Sequence, residues 1–147
     1  MKPLQIAADQ IVFAIFLFVL TTTIALAESE FEKTKRLAEA GNAPAQVKLG
    51  LMYTSGEGVP KNYAEAVKWC KKAAEQGYAN GQYHLGMKYY KGKGIEVDYI
   101  QAYSWWNLAA AQGNEKAKES RNILSSSLTQ SQIAKAQKIS RNFKPVK

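Results

Sequence analysis

GNAPAQVKLGLMYTSGEGVPKNYAEAVKWCKKAAEQG, residues 41–77, runs directly into GYANGQYHLGMKYYKGKGIEVDYIQAYSWWNLAAAQG, residues 77–113, with Gly77 shared at the join. A shift of 36 residues superposes residues 38–73 on 74–109 without a gap and aligns 14 identical pairs. They are Ala38/Ala74, Glu39/Glu75, Gly41/Gly77, Ala43/Ala79, Gln46/Gln82, Leu49/Leu85, Gly50/Gly86, Tyr53/Tyr89, Gly56/Gly92, Gly58/Gly94, Tyr63/Tyr99, Ala66/Ala102, Trp69/Trp105 and Ala73/Ala109. Gly113 keeps the phase of Gly41 and Gly77. A period of this length marks one supersecondary unit that cannot bury its apolar face alone and stacks on its copies.

Each unit reads as two helices. Ala45, Leu49 and Tyr53 lie four residues apart, one stripe at helical spacing, and predict a helix A over 43–55 and again over 79–91. Gly56 and Gly58 end it, because glycine takes the left-handed conformation that a helix stop uses. A helix B opens at Asn62 with Glu65 three residues on, and at Asp98 with Gln101, both at capping-box spacing. Its buried stripe is Ala66, Trp69, Cys70 and Ala73, and Gly77 closes it.

Gly50 and Gly86 fall inside helix A, where glycine costs about 1 kcal/mol relative to alanine. Their recurrence predicts a close backbone approach, with Ala66 and Ala102 opposite. Trp69, Trp105, Tyr53 and Tyr89 repeat in register at helical spacing, and are expected in the core rather than around a ligand.

The pattern G-x-x-x-A-Q-x-x-L-G-x-x-Y-x-x-G-x-G-V-P-x-x-Y-x-x-A-x-x-W-x-x-x-A-A-x-x-G, read from Gly41 to Gly77, resembles the Sel-one-like repeat, a branch of the tetratricopeptide-like superhelices. The resemblance implies an all-α fold, an α/α solenoid of antiparallel helix pairs wound as a right-handed superhelix. The expected organisation is a signal peptide (1–27), an N-terminal half-repeat helix (28–40), two repeats (41–76 and 77–112), a degenerate capping repeat (113–143) and a tail (144–147). In the capping repeat Ser125-Ser126-Ser127 replaces the Gly-x-Gly turn, and Thr129 with Gln132 opens a last helix reaching about Phe143. A polar outer cap suits the end of a solenoid, whose last unit has no neighbour to bury against.

The signal peptide is read from Lys2, the ten-residue apolar run Ile11 to Leu20, and the small residues of Ala25-Leu26-Ala27 before Glu28. Cleavage is expected after Ala27. The alternative is an uncleaved membrane anchor, for which Ile11 to Ala27 is almost long enough. Cleavage would remove Lys2 and Asp9, one charge of each sign, so the net charge stays at +8. A basic excess favours acidic partners. The lysines are scattered rather than blocked together, which argues against nucleic acid.

Chemistry has few carriers here. The chain has one histidine and one cysteine, and neither a metal-ligand cluster nor a nucleotide-binding loop in strand context is legible. Cys70 and His84 lie seven residues either side of Gly77, level in an antiparallel hairpin, which raises a Cys–His dyad. Their repeat columns oppose it: Cys70 shares one with Trp106, a packing residue, and His84 one with Lys48. A buried, inert cysteine is expected instead. Some exported members of the resembled family carry regularly spaced cysteine pairs and are linked to penicillin binding. With Cys70 alone this chain departs from that pattern, and that role is not carried over.

No enzymatic activity and no cofactor are expected. The signal peptide predicts an exported bacterial protein, periplasmic or secreted, and the resemblance implies a scaffold or adaptor that binds proteins in an envelope, signalling or host-interaction role. The membrane enters only through the leading segment, if that is uncleaved. Variable positions of helix A would line an inner groove: Lys48, Met52 and Ser55, then His84, Lys88 and Lys91, with Lys116 in the cap. The alternative is a binder of anionic envelope glycan or lipid through a basic surface.

Overall fold

The computed structural model describes residues 2–26 and 28–146, with side chains described for 5–19 and 28–146. Among them are eight α-helices and no strand: α1 (Lys2–Leu26), α2 (Glu30–Glu39), α3 (Ala43–Ser55), α4 (Tyr63–Glu75), α5 (Ala79–Lys91), α6 (Tyr99–Ala111), α7 (Glu115–Ser125) and α8 (Gln130–Asn142). From α2 to α7 each helix packs on the next in the chain, and α3 also touches α5. This is the stacked-hairpin solenoid expected from the repeat, with α3 and α5 as its A helices and α4 and α6 as its B helices. In α1 the apolar side chains from Ile11 to Val19 are exposed. No helix among the described residues is long and apolar enough to cross a membrane. The expected cleavage point after Ala27 lies outside the described residues.

The helix ends follow local chemistry. Asn42, Asn62, Asp98 and Asn114 each accept a hydrogen bond from the backbone N–H three residues on, satisfying a donor that a helix start leaves open. At Thr129 both halves of a capping box form with Gln132. Gly56 and Gly92 stop α3 and α5 at φ +80° and +66°.

Buried glutamines set the spacing of the layers. Gln46 Nε2 donates to the carbonyl of Ala38 at 3.1 Å, and its Oε1 accepts from Gln76 Nε2 at 2.8 Å. One period later Gln82 donates to Ala74 at 3.4 Å and accepts from Gln112 at 2.8 Å. Each A helix is thereby tied to the B helix before it and the B helix after it. A buried amide requires such partners, so the bonds specify register as well as contact.

The glycines inside the A helices have the close approach that was expected, against a partly different neighbour. A Cβ on Gly50 would lie 2.8 Å from Cys70 Sγ and 3.0 Å from the Ala66 carbonyl; one on Gly86 would lie 2.5 Å from Trp106 Nε1. The Cys70/Trp106 column fills the notch, alongside the Ala66 backbone in the first unit. Trp106 is the largest fully buried side chain, at 2 % exposure, and Trp69 is buried at 6 %. Trp105, expected in the core, is half-buried with the Phe143 ring on its flank, centroids 5.5 Å apart.

The C-terminal unit departs from the hairpin pattern. Without glycines after α7, the chain turns through Ser126 and Ser127, whose N–H groups bond back to Ile123 and Leu124. α8 packs against α6. Small residues permit this close contact. The Ser104 hydroxyl is shared between the Ile100 carbonyl of its own helix at 2.7 Å and the Ala136 carbonyl at 3.1 Å. The Ser140 hydroxyl is shared between the Ser104 carbonyl at 3.0 Å and the Ala136 carbonyl at 3.1 Å. Residues 144–146 then run back to the first unit, where the Val146 N–H donates to the Glu75 carbonyl at 2.8 Å and Pro145 covers Gly77.

Candidate functional site

Contact between α3 and α5 leaves a cleft on the A-helix side, about 190 Å³ in volume. Leu51 and Thr54 of α3 form one wall. Tyr83, His84, Met87, Lys88 and Lys91 of α5 form the other, with Lys93 at the end. From Gln76 to Ile95 the sequence holds no Asp or Glu, so the α5 wall carries positive charge without a local counter-charge.

Of the seven residues expected to form a groove, the structure brings His84, Lys88 and Lys91 together in this cleft. Lys116 reaches it electrostatically from α7, since its charge acts on His84. Lys48 is exposed and paired with Glu30, outside the cleft. Ser55 is exposed and turns its hydroxyl back to the Met52 carbonyl at 3.3 Å. Two positions differ from the expectation of an exposed groove lining: Met52 is 4 % exposed and Lys88 7 %. They share a repeat column that points under the A-helix surface, which is why one holds a methionine. The lining residues that sequence reasoning missed are Leu51, Thr54, Tyr83, Met87 and Lys93. The Leu51/Met87 column carried a usable signal, being apolar in both units yet off the Ala45–Leu49–Tyr53 stripe.

Lys88 is the unusual member. Its Nζ donates to Thr54 Oγ1 at 2.6 Å and sits 5.9 Å from the centre of the Tyr63 ring. The Thr54 hydroxyl itself donates to the Gly50 carbonyl at 2.8 Å, leaving its lone pairs for the amine. Among the described residues no carboxylate lies within ion-pair distance of Lys88. Burial holds its pKa below the ordinary lysine value; Cys70 acts in the opposite sense, and Lys93 and Lys91 push it further down. His84 is also held below the ordinary histidine value, first by burial, then by the charges of Lys88 and Lys116.

The Cys–His pairing does not form a nucleophilic site. Cys70 is fully buried beside Val67, Ala74 and Leu85, and burial pushes its thiol up to about 11 although Lys88 opposes the shift. The thiolate needed for attack is therefore scarce at neutral pH. Among the described residues no group of His, Cys, Asp and Glu could hold a metal ion.

The family model for the Sel1 repeat matches residues 43–78 and 79–114. The chain is similar in structure to a protective antigen present in uropathogenic Escherichia coli strains that displays an SLR fold. The TM-score is 0.73 at 35 % identity, over 84 % of this chain and 28 % of that one. It is also similar to a Sel1 repeat protein from Oxalobacter formigenes, with a TM-score of 0.60 at 42 % identity, over 61 % of this chain and 68 % of that one. The chain thus spans little more than a quarter of the Escherichia coli antigen it matches, and no curated protein matches it.

Proposed function

The chain belongs to the Sel1 repeat family, whose members are protein-interaction scaffolds, and from that premise we propose that it is an exported adaptor whose α3–α5 cleft binds a partner protein. The observation that carries this reading is the cleft itself. It is a concave seam between stacked A helices, apolar at Leu51 and Met87 and positive along α5. Solenoids present such inner faces to partners, and complementary charge steers encounter and selects among them.

Charge reversal tests the location. Lys91→Glu with Lys93→Glu alters exposed positions of the cleft, whereas Lys68→Glu with Lys72→Glu makes the same change of net charge on α4. Recovery of the partner by cross-linking pull-down from the producing cell is expected to fall at least about tenfold for the cleft pair and little for the α4 pair. Melting temperatures should stay close to the parent's, since exposed charges contribute little to stability. Equal losses from both pairs would reject the cleft and favour a general attraction to anionic glycan or lipid.

Export has its own test. Ala27→Tyr puts a bulky side chain where a small one is needed for processing, and is expected to leave a larger, membrane-associated form on immunoblots of fractionated cells. A native preparation that still begins at Met1 would overturn the cleaved signal peptide.

A further inference from the structure

A buried ammonium group is costly unless a counter-charge and hydrogen-bond acceptors replace the water it has lost. Among the described residues Lys88 has one hydrogen-bond acceptor, Thr54 Oγ1, and the face of one aromatic ring. The first repeat shows that this column has no structural need for a cation, because Met52 occupies it. Lys91 and Lys93 add positive potential around the same cavity, and no acidic residue from Gln76 to Ile95 offsets it. An anion entering the cleft would supply the counter-charge that the described residues do not.

We propose that the cleft receives a carboxylate-bearing peptide segment of the partner, with the Lys88 amine meeting the carboxylate and Leu51 and Met87 holding an adjacent apolar side chain. This rests on the adaptor reading and adds the chemistry of what is bound. A peptide fits better than a small phosphorylated ligand because the apolar side chains of Leu51 and Met87 line the cavity beside the cation. An ammonium pairs with phosphate or carboxylate alike, so it is these apolar walls that suit a carboxylate carried on an organic chain. The amine is already positioned by Thr54, so meeting a carboxylate needs little further ordering.

The test is a selection of random nonapeptides displayed on phage against the full chain. Winners are expected to carry Asp or Glu next to Leu, Ile, Met or Phe. A synthetic winner should lose at least about tenfold in affinity when its acid becomes the amide, and as much with Lys88→Met in the protein. Lys88→Met copies the residue of the first repeat, so it is expected to fold and to melt no lower than the parent. Enrichment of basic or purely apolar peptides, or unchanged affinity with Lys88→Met, would overturn the proposal. So would photo-cross-linking of the winners to α4 rather than α3 and α5, which would leave the adaptor reading standing. Full competition by millimolar inorganic phosphate would assign the site to phosphate instead. Failure to enrich any peptide would also reject it, while cellular partners recovered by cross-linking would still support the adaptor.

Discussion

Trp106→Ala is expected to cost about 3–5 kcal/mol of stability, the range for truncating a fully buried aromatic side chain. Trp106 belongs to the cluster of Ala102, Tyr103, Ala109, Ala117, Leu124 and Ala136, in which α6 meets α7 and α8, and it also reaches α5. Its indole lies against α5 at Gly86, donates from Nε1 to the Tyr83 carbonyl at 3.1 Å, and packs near Tyr90, ring centroids 5.6 Å apart. Truncation therefore removes packing from several helices together with this hydrogen bond. A fold of ordinary stability, roughly 5–15 kcal/mol, could lose most of its margin. Urea unfolding followed by circular dichroism measures it as a fall in midpoint. Trp105→Ala is the comparison, since Trp105 is only half-buried and its N–H has no hydrogen-bond partner among the described residues. It should cost clearly less. Equal losses, or a Trp106→Ala protein that melts within a few degrees of the parent, would show that the notch at Gly86 does not hold the units together.

Gly86→Ala is expected to destabilise by about 1–3 kcal/mol, the cost of overpacking a filled interior. In an open helix the same change would stabilise by about 1 kcal/mol, through helix propensity. The contact decides the sign. A Cβ at Gly86 would sit 2.5 Å from Trp106 Nε1 and 2.6 Å from Cδ1, so the indole would have to shift away from the Tyr83 carbonyl. The double-mutant cycle with Trp106→Ala isolates this cause. Once the indole is gone, Gly86→Ala should become neutral or stabilising, and the coupling between the two sites should be at least as large as the single-mutant loss. A cycle without coupling would mean that Gly86 acts through backbone conformation alone.

Much of this architecture is legible along the chain because its causes are local. Helix A at 43–55 and 79–91 follows from four-residue apolar spacing bounded by glycine, and those are the bounds of α3 and α5. The starts of α4 and α6 follow from Asn62 and Asp98, whose side chains reach only three residues. The buried character of Ala66, Trp69, Cys70 and Ala73 follows from their spacing on one face of the helix. The candidate site was legible only in part. Columns 48, 52 and 55 share helical spacing, but one residue's rotation around a helix separates the exposed Leu51 from the buried Met52. Sequence spacing does not resolve that angle without the direction of the neighbouring helix.

By itself the sequence determined the repeat, its two-helix unit, the helix ends and most of the core, all of which depend on contacts within a turn or between copies of the same unit. Only the tertiary structure decided that Trp106 rather than Trp105 is the deepest aromatic, and that α8 packs against α6. It alone showed the docking of the tail on Glu75 and Gly77, and a lysine buried at position 88 without a carboxylate partner among the described residues. Each of these depends on where a non-adjacent helix or segment passes. The contacts involved have no counterpart in the other unit, so the repeat carries no trace of them.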